Sequence, residues 1–394
     1  MGIHLTDNVV AFDRWIRTSF VAMNDELEEI YFGGTNRSVV CKAGANVREQ
    51  LLNDGRNFII PLLREGNTDE GFEAAFDLLG NVGMYMAACR RHEMTEPSRE
   101  TRSPLVEASA LAMHLGASLG VVPRFATSHL STHNPAIKGS YKTFTSLTDE
   151  ALFLDYNTRA IFAYKRAADA LVRILPLGVS HPVAYDLLCN ARDALLAVIS
   201  SNELLFTELD SERFFYCVRP YYKPYRVGFA EYRGANAGDF AGINEIDMLL
   251  GLCSANDSFY SQLLVDKFLY MMPEDQVRLR DCMRRQSLLN ALLAEMPSST
   301  SEAWYRRTAG MFLEVCEAHG RTAAQHHDQL VQKFINVPSR ALPEISLQTV
   351  TASGLPLEVL LRSLEKLRDL RLAAPREDIP SRYQDLESLR RSLN

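Results

Sequence analysis

The stretch TAAQHHDQLVQKFINVP, residues 322–338, sets two adjacent histidines on a strongly apolar helical pattern. Phe312, Val315, Cys316, Ala323, Leu330, Val331, Phe334 and Ile335 recur at helical spacing and predict one buried stripe. His319 and His326 lie near an edge of that stripe, and His327 falls in line with Ala323 and Val331 at four residues on either side. Neighbouring positions on a regular helix point about 100° apart, so His326 and His327 cannot both ligate one metal. At most one of them faces inward, and both could be bystanders of the packing.

Outward from this segment the chain reads as helix after helix. Residues 70–93 carry Phe76, Leu79, Val82 and Met86 at helical spacing, and residues 105–120, 149–175 and 182–206 continue the pattern. Residues 93–104, EMTEPSRETRSP, are polar and punctuated by proline, which predicts a linker, and residues 131–150 predict a long loop. Strand signals are scarce, with no convincing two-residue hairpin and no βαβ alternation. The expected fold is all-α: a smaller N-terminal helical domain over residues 1–100 and a larger helical domain over 101–394.

Composition narrows the function. Of 394 residues 47% are apolar and 23% charged, ordinary for a globular chain, and the formal net charge of −7 gives no support to nucleic-acid binding. No Rossmann or P-loop glycine pattern occurs. Seven cysteines, an odd number without a C-x-x-C, predict reduced thiols and a cytoplasmic setting. No apolar run is long enough to span a bilayer, and MGIHLT matches the myristoylation pattern only loosely.

Bare-metal sites find little footing. No histidine follows a glutamate by three residues, which removes the pairs of di-iron bundles, and H-E-x-x-H is missing. His129 and His133, in HLSTH, would share a face if helical, without a third ligand. A single buried histidine on a helix suits a different chemistry, the proximal ligand of a haem iron.

A second constellation lies in residues 211–251. Phe215 and Arg219 are four apart on one helix face, with Phe214 beside them. Pro220 disfavours helix at Arg219, leaving that guanidinium at a helix end, free to turn into a cavity. Aromatics beside an arginine would hold a flat apolar ligand by its ring and by its carboxylate. The same spacing also fits a surface arginine on an aromatic core helix.

HHDQLVQKFI resembles the proximal-histidine helix of indoleamine 2,3-dioxygenases, H-x-x-x-V-x-K-[FY]-I, and FFYCVR resembles their F-F-x-x-x-R segment. RPYYKPYRVGFAEYRG is similar to the pyrrolnitrin-pathway branch of that superfamily, the monodechloroaminopyrrolnitrin synthase-like enzymes, with Phe229 in place of a glycine. HLSTHNP resembles their H-x-x-x-W-N-P, with His133 for the tryptophan, and Tyr156 falls where indoleamine dioxygenases carry a serine.

The resemblance implies haem b with its iron on His327, and Val331, Gly242, Thr351, Ser353 and Gly354 among the cofactor contacts. Residues 351–354 take the place of the family's loop that closes over the substrate. Phe214, Phe215 and Arg219 would bind an indole amino acid, and Phe125, Ser128, His129 and Tyr156 would line the distal side. The implied activity is oxidation of tryptophan or a modified tryptophan at the indole C2–C3 bond, in specialised metabolism. Molecular oxygen is the co-substrate, and the scheme admits an external electron donor. A helical haem or ligand sensor without turnover, and a ring-rearranging enzyme of the pyrrolnitrin type, are the other readings.

Overall fold

The computed structural model describes residues 6–65, 70–235, 240–341 and 351–393. They are 70% helical with almost no sheet, the all-α class that the periodicity predicts. The chain folds into two compact units, each assembled from three stretches of sequence. The first comprises Met1–Asp155, Leu209–Asp239 and Phe334–Leu357, and the second Tyr156–Glu208, Phe240–Lys333 and Glu358–Asn394.

The first unit is organised by the helix Phe72–Arg91, which is buried along most of its length. Its glycines admit neighbours that a side chain would block. A Cβ on Gly83 would stand 2.3 Å from the backbone nitrogen of Phe125, and one on Gly80 would stand 2.5 Å from the His129 ring. At its C-terminal end Arg91 makes a two-pronged, buried ion pair with Glu28 (2.8 and 2.7 Å). Next to it, His92 Nε2 meets Asn24 Oδ1 at 2.9 Å, and Asn24 donates to the Phe144 carbonyl (2.8 Å).

Residues 93–104, expected as a linker between domains, lie inside this unit. Pro97 and Ser103 are buried. The Ser103 N–H donates to the Gly228 carbonyl (2.8 Å), and Arg226 donates to the Pro97 carbonyl (3.2 Å). The boundary expected at residue 100 therefore falls within the first unit. A polar, proline-bearing composition is shared by linkers and by loops whose polar groups are satisfied internally. The hairpin reading also needs correction. Tyr225–Val227 and Ala230–Tyr232 pair antiparallel, with Val227 opposite Ala230, across the two-residue turn Gly228–Phe229. Gly228 takes φ +58°, the primed-turn role of glycine, but the strands are only three residues long and too short to show alternation.

The second unit is a helical core. Its core includes buried alanines from residues 156–177 and from the helix Pro182–Glu208, among them Ala163, Ala167, Ala191 and Ala194. The helix Ala303–Gln325 packs along Pro182–Glu208 and buries Phe312, Val315, Cys316 and Ala323, the predicted stripe. From His326 to Asn336 the turn widens to a π-helix, with i→i+5 bonding. No helix among the described residues is long and apolar enough to cross a membrane.

Candidate active site

In the first unit the chain reaches Arg219 through three helical forms: an α-turn Ser211–Arg213, a π-turn Phe214–Val218 and a 3-10 turn Arg219–Tyr222. Pro220 explains the change. It has no N–H for the carbonyl four residues back, Tyr216, and Arg91 Nη2 donates to that oxygen instead (3.0 Å). The helix tightens at the proline rather than ending there. Phe214 is buried against Phe153 (ring centroids 4.8 Å) and Phe334 (5.8 Å). Phe215 is buried and lies 5.4 Å from the Arg219 guanidinium, the predicted shared face.

Arg219 is not a surface arginine. It is only 9% exposed, and among the described residues it meets no hydrogen-bond acceptor and no carboxylate. Desolvation pulls its pKa down to about 10. It lines a cleft of about 80 Å³ with Phe215, Tyr216, Arg90 and Lys223, room for a carboxylate and a few waters. A buried guanidinium without a counter-ion is costly to retain and is suited to receiving an anion.

The other predicted residues of this unit are tied into its packing. Phe125 is fully buried against Tyr225, Phe144 and Tyr222. His129 stacks on Phe76 at 3.8 Å; its Nδ1 accepts from the Ala126 N–H (2.8 Å) and its Nε2 meets the Phe76 carbonyl (2.8 Å). With both ring nitrogens engaged and burial pulling its pKa to about 3, His129 is a neutral packed histidine, not a group free to act on a ligand. Ser128 is half-buried in the four-residue turn Thr127–Leu130, too short to put His129 and His133 on one helix face. Thr351 is buried and its hydroxyl donates to the Leu355 carbonyl, Ser353 donates to Thr351 Oγ1 (3.4 Å), and Gly354 takes φ +78°. Phe229, which stands in place of a family glycine, is 73% exposed at the hairpin tip, its ring 5.2 Å from the Arg102 guanidinium.

In the second unit the buried histidine is His319. It is fully buried; its Nε2 lies 2.7 Å from Asp247 Oδ1, and its Nδ1 has no partner among the described residues. Asp247 also accepts two bonds from Arg371 (2.8 Å each) and one from the Tyr260 hydroxyl (2.8 Å), and Asn244 donates to that hydroxyl (3.0 Å). Burial works against the Asp247 charge, but Arg371 and His319 outweigh it and hold the carboxyl well below its usual range. Burial, with Arg371, lowers the His319 pKa against the pull of Asp247, so the imidazole is neutral.

His327 is placed otherwise. Its ring is partly exposed, and Nδ1 lies 2.6 Å from Asp328, which Arg368 also engages (2.8 Å). Val331 is buried, but the π-turn removes the regular i,i+4 register expected between the two. Tyr156 is buried and donates to Glu208 Oε2 (2.8 Å). Gly242 opens the helix Gly242–Leu250 against Tyr164 and Phe240, where an added Cβ would make ordinary contacts of 3.4–3.5 Å. Among the described residues no cluster of three His, Cys, Asp or Glu side chains could hold a bare metal ion.

A nearly all-helical chain that buries a carboxylate-paired histidine in one unit and an unpaired arginine among aromatics in the other is consistent with a helical haem-oxygenase domain. The chain belongs to the monodechloroaminopyrrolnitrin synthase PrnB family, whose model matches residues 6–393. That family lies within the indoleamine/tryptophan dioxygenase-like haem oxygenase superfamily.

Proposed function

We propose that the protein is a haem-dependent oxidative enzyme acting on tryptophan or a modified tryptophan. The observation that carries the substrate class is Arg219, buried and unpaired beside Phe215. Its guanidinium would take the carboxylate, and the neighbouring ring would flank the apolar body of the ligand. The chemistry at the indole would be oxygen insertion at the C2–C3 bond or a ring rearrangement of the pyrrolnitrin type. A family of biosynthetic enzymes favours turnover over a sensor.

A haem iron would need a histidine with one ring nitrogen held and the other free. A metal-ligating histidine commonly has its second ring nitrogen on a carboxylate, and His319 has one nitrogen on Asp247 and one without a partner. We assign the iron to His319 in preference to His327, whose ring is partly exposed and bonded to a surface aspartate. Haem bound there supplies the redox chemistry that activates dioxygen. Asp247 would fix the tautomer and orientation of His319, and Arg371 and Tyr260 would keep Asp247 ionised and in place.

The test is turnover of the haem-loaded protein with reductant and oxygen-18 gas on a panel of tryptophan derivatives, read by mass spectrometry. Two labelled atoms mean dioxygenation, one means monooxygenation, and a changed product without label means rearrangement. If no indole amino acid is consumed or perturbs the haem spectrum, the substrate class is wrong.

A further inference from the structure

The cleft at Arg219 carries more positive charge than its own carboxylates neutralise. Arg37 pairs with Glu212 (2.5 Å), Arg90 with Glu96 (3.3 Å) and Arg91 with Glu28 (2.7 Å). Two further lining cations, Arg219 and Lys223, have no acceptor among the described residues. They stand at the two ends of the 3-10 turn Arg219–Tyr222, Lys223 being its C-cap, and among the described residues the one carboxylate of the lining itself is the exposed Glu93.

We propose that Lys223 is the second anchor of the ligand's carboxylate, sharing its two oxygens with Arg219. The inference rests on the indole-carboxylate reading above and adds a residue to it. Arg219 supplies a fixed charge, whereas Lys223 supplies a conditional one. Burial, then Arg90, Arg219 and Arg91, push the Lys223 pKa down to about 7, against the pull of Glu96. Arg219 stays charged through neutral pH. Raising the pH through neutrality strips Lys223 of its proton, and the cleft keeps one cation where it had two. A bound carboxylate opposes that loss by stabilising the ammonium. Carboxylate affinity therefore falls as pH rises, and Lys223 is the cause.

The experiment is calorimetric titration of the haem-loaded protein with indole-3-propionate, which is a monoanion without an amine between about pH 6 and pH 9, and in parallel with sulfate. The native protein should lose about tenfold in affinity for indole-3-propionate over that range. Lys223→Met should bind weakly with little pH dependence, and Lys223→Arg should bind tightly at both ends of the range, since its guanidinium does not titrate there. Unchanged unfolding midpoints would show that both variants are folded. Native-like affinity and slope in Lys223→Met, or a native slope in Lys223→Arg, overturns the proposal, as does failure of both probes to bind. Binding of indole-3-propionate that depends on Arg219 but not on Lys223 removes this inference and leaves the functional reading standing. Sulfate binding with a Lys223-dependent slope, and no binding of indole-3-propionate, keeps the two-cation anchor and removes the indole reading.

Discussion

His319 Nε2 and Asp247 Oδ1 lie 2.7 Å apart with both side chains fully buried, and the carboxylate takes two further bonds from Arg371. This pairing separates the two histidines that could hold iron. His319→Ala should lose most of the haem and its Soret band. His327→Ala should keep them, because its Asp328–Arg368 contacts can be remade at the surface. The reverse pattern would return the ligand to His327.

The same cluster predicts a stability effect without haem. Asp247→Ala leaves Arg371 buried and uncompensated, and should cost about 3–5 kcal/mol by denaturant unfolding of the haem-free protein. A loss below about 1 kcal/mol would mean that Arg371 finds another acceptor or reaches water.

Glycines give a pair of opposite expectations. At Gly83 an added Cβ meets the Phe125 backbone at 2.3 Å, and backbone cannot swing aside. Gly83→Ala should therefore destabilise by about 1–3 kcal/mol or more. At Gly310, inside the helix Ala303–Gln325, a Cβ meets nothing within 4 Å. Gly310→Ala should stabilise by about 0.5–1 kcal/mol. Equal effects would contradict the close approach of Phe125 to the Phe72–Arg91 helix.

Acid sensitivity should begin near the ordinary histidine range. His92 is held neutral well below its usual pKa, by burial and then Arg91, and His129 is lowered to about 3, by burial first. Below about pH 6.5 the unfolded chain takes up protons that these folded histidines refuse, so stability falls as pH falls. Each contributes a loss of about 1.4 kcal/mol per pH unit until its folded pKa is reached. His129→Gln should reduce the slope of unfolding free energy against pH between about 4 and 6 by roughly one proton. An unchanged slope would mean that the His129 ring is reached by water and titrates normally.

The helices were legible because burial on one face imposes a period that each segment carries by itself, as in residues 312–335 and 182–206. The shared face of Phe215 and Arg219 was legible for the same reason: that contact is local. What was not legible depends on distant partners. His319 lies 72 residues from Asp247, and nothing near it in sequence marks it off from a packed histidine. His327 drew attention through a local motif whose regular register the π-turn replaces. Residues 93–104 look like a linker until Gly228 and Arg226 satisfy their backbone.

Arg219 should trade stability against binding. A buried guanidinium without a counter-ion costs folding free energy, which its lowered pKa of about 10 reflects. Arg219→Met keeps the length and apolar stem and removes the charge. The variant should unfold at the same or higher denaturant concentration, with a gain of up to about 1–3 kcal/mol. It should also lose about 2–5 kcal/mol of affinity for an indole carboxylate, and bind tryptamine no worse than the native protein does. A residue kept for packing would behave the other way, losing stability on substitution and leaving the ligand contrast between tryptophan and tryptamine untouched. Paired unfolding and binding measurements on this one variant therefore decide whether the buried charge is there for the fold or for a ligand.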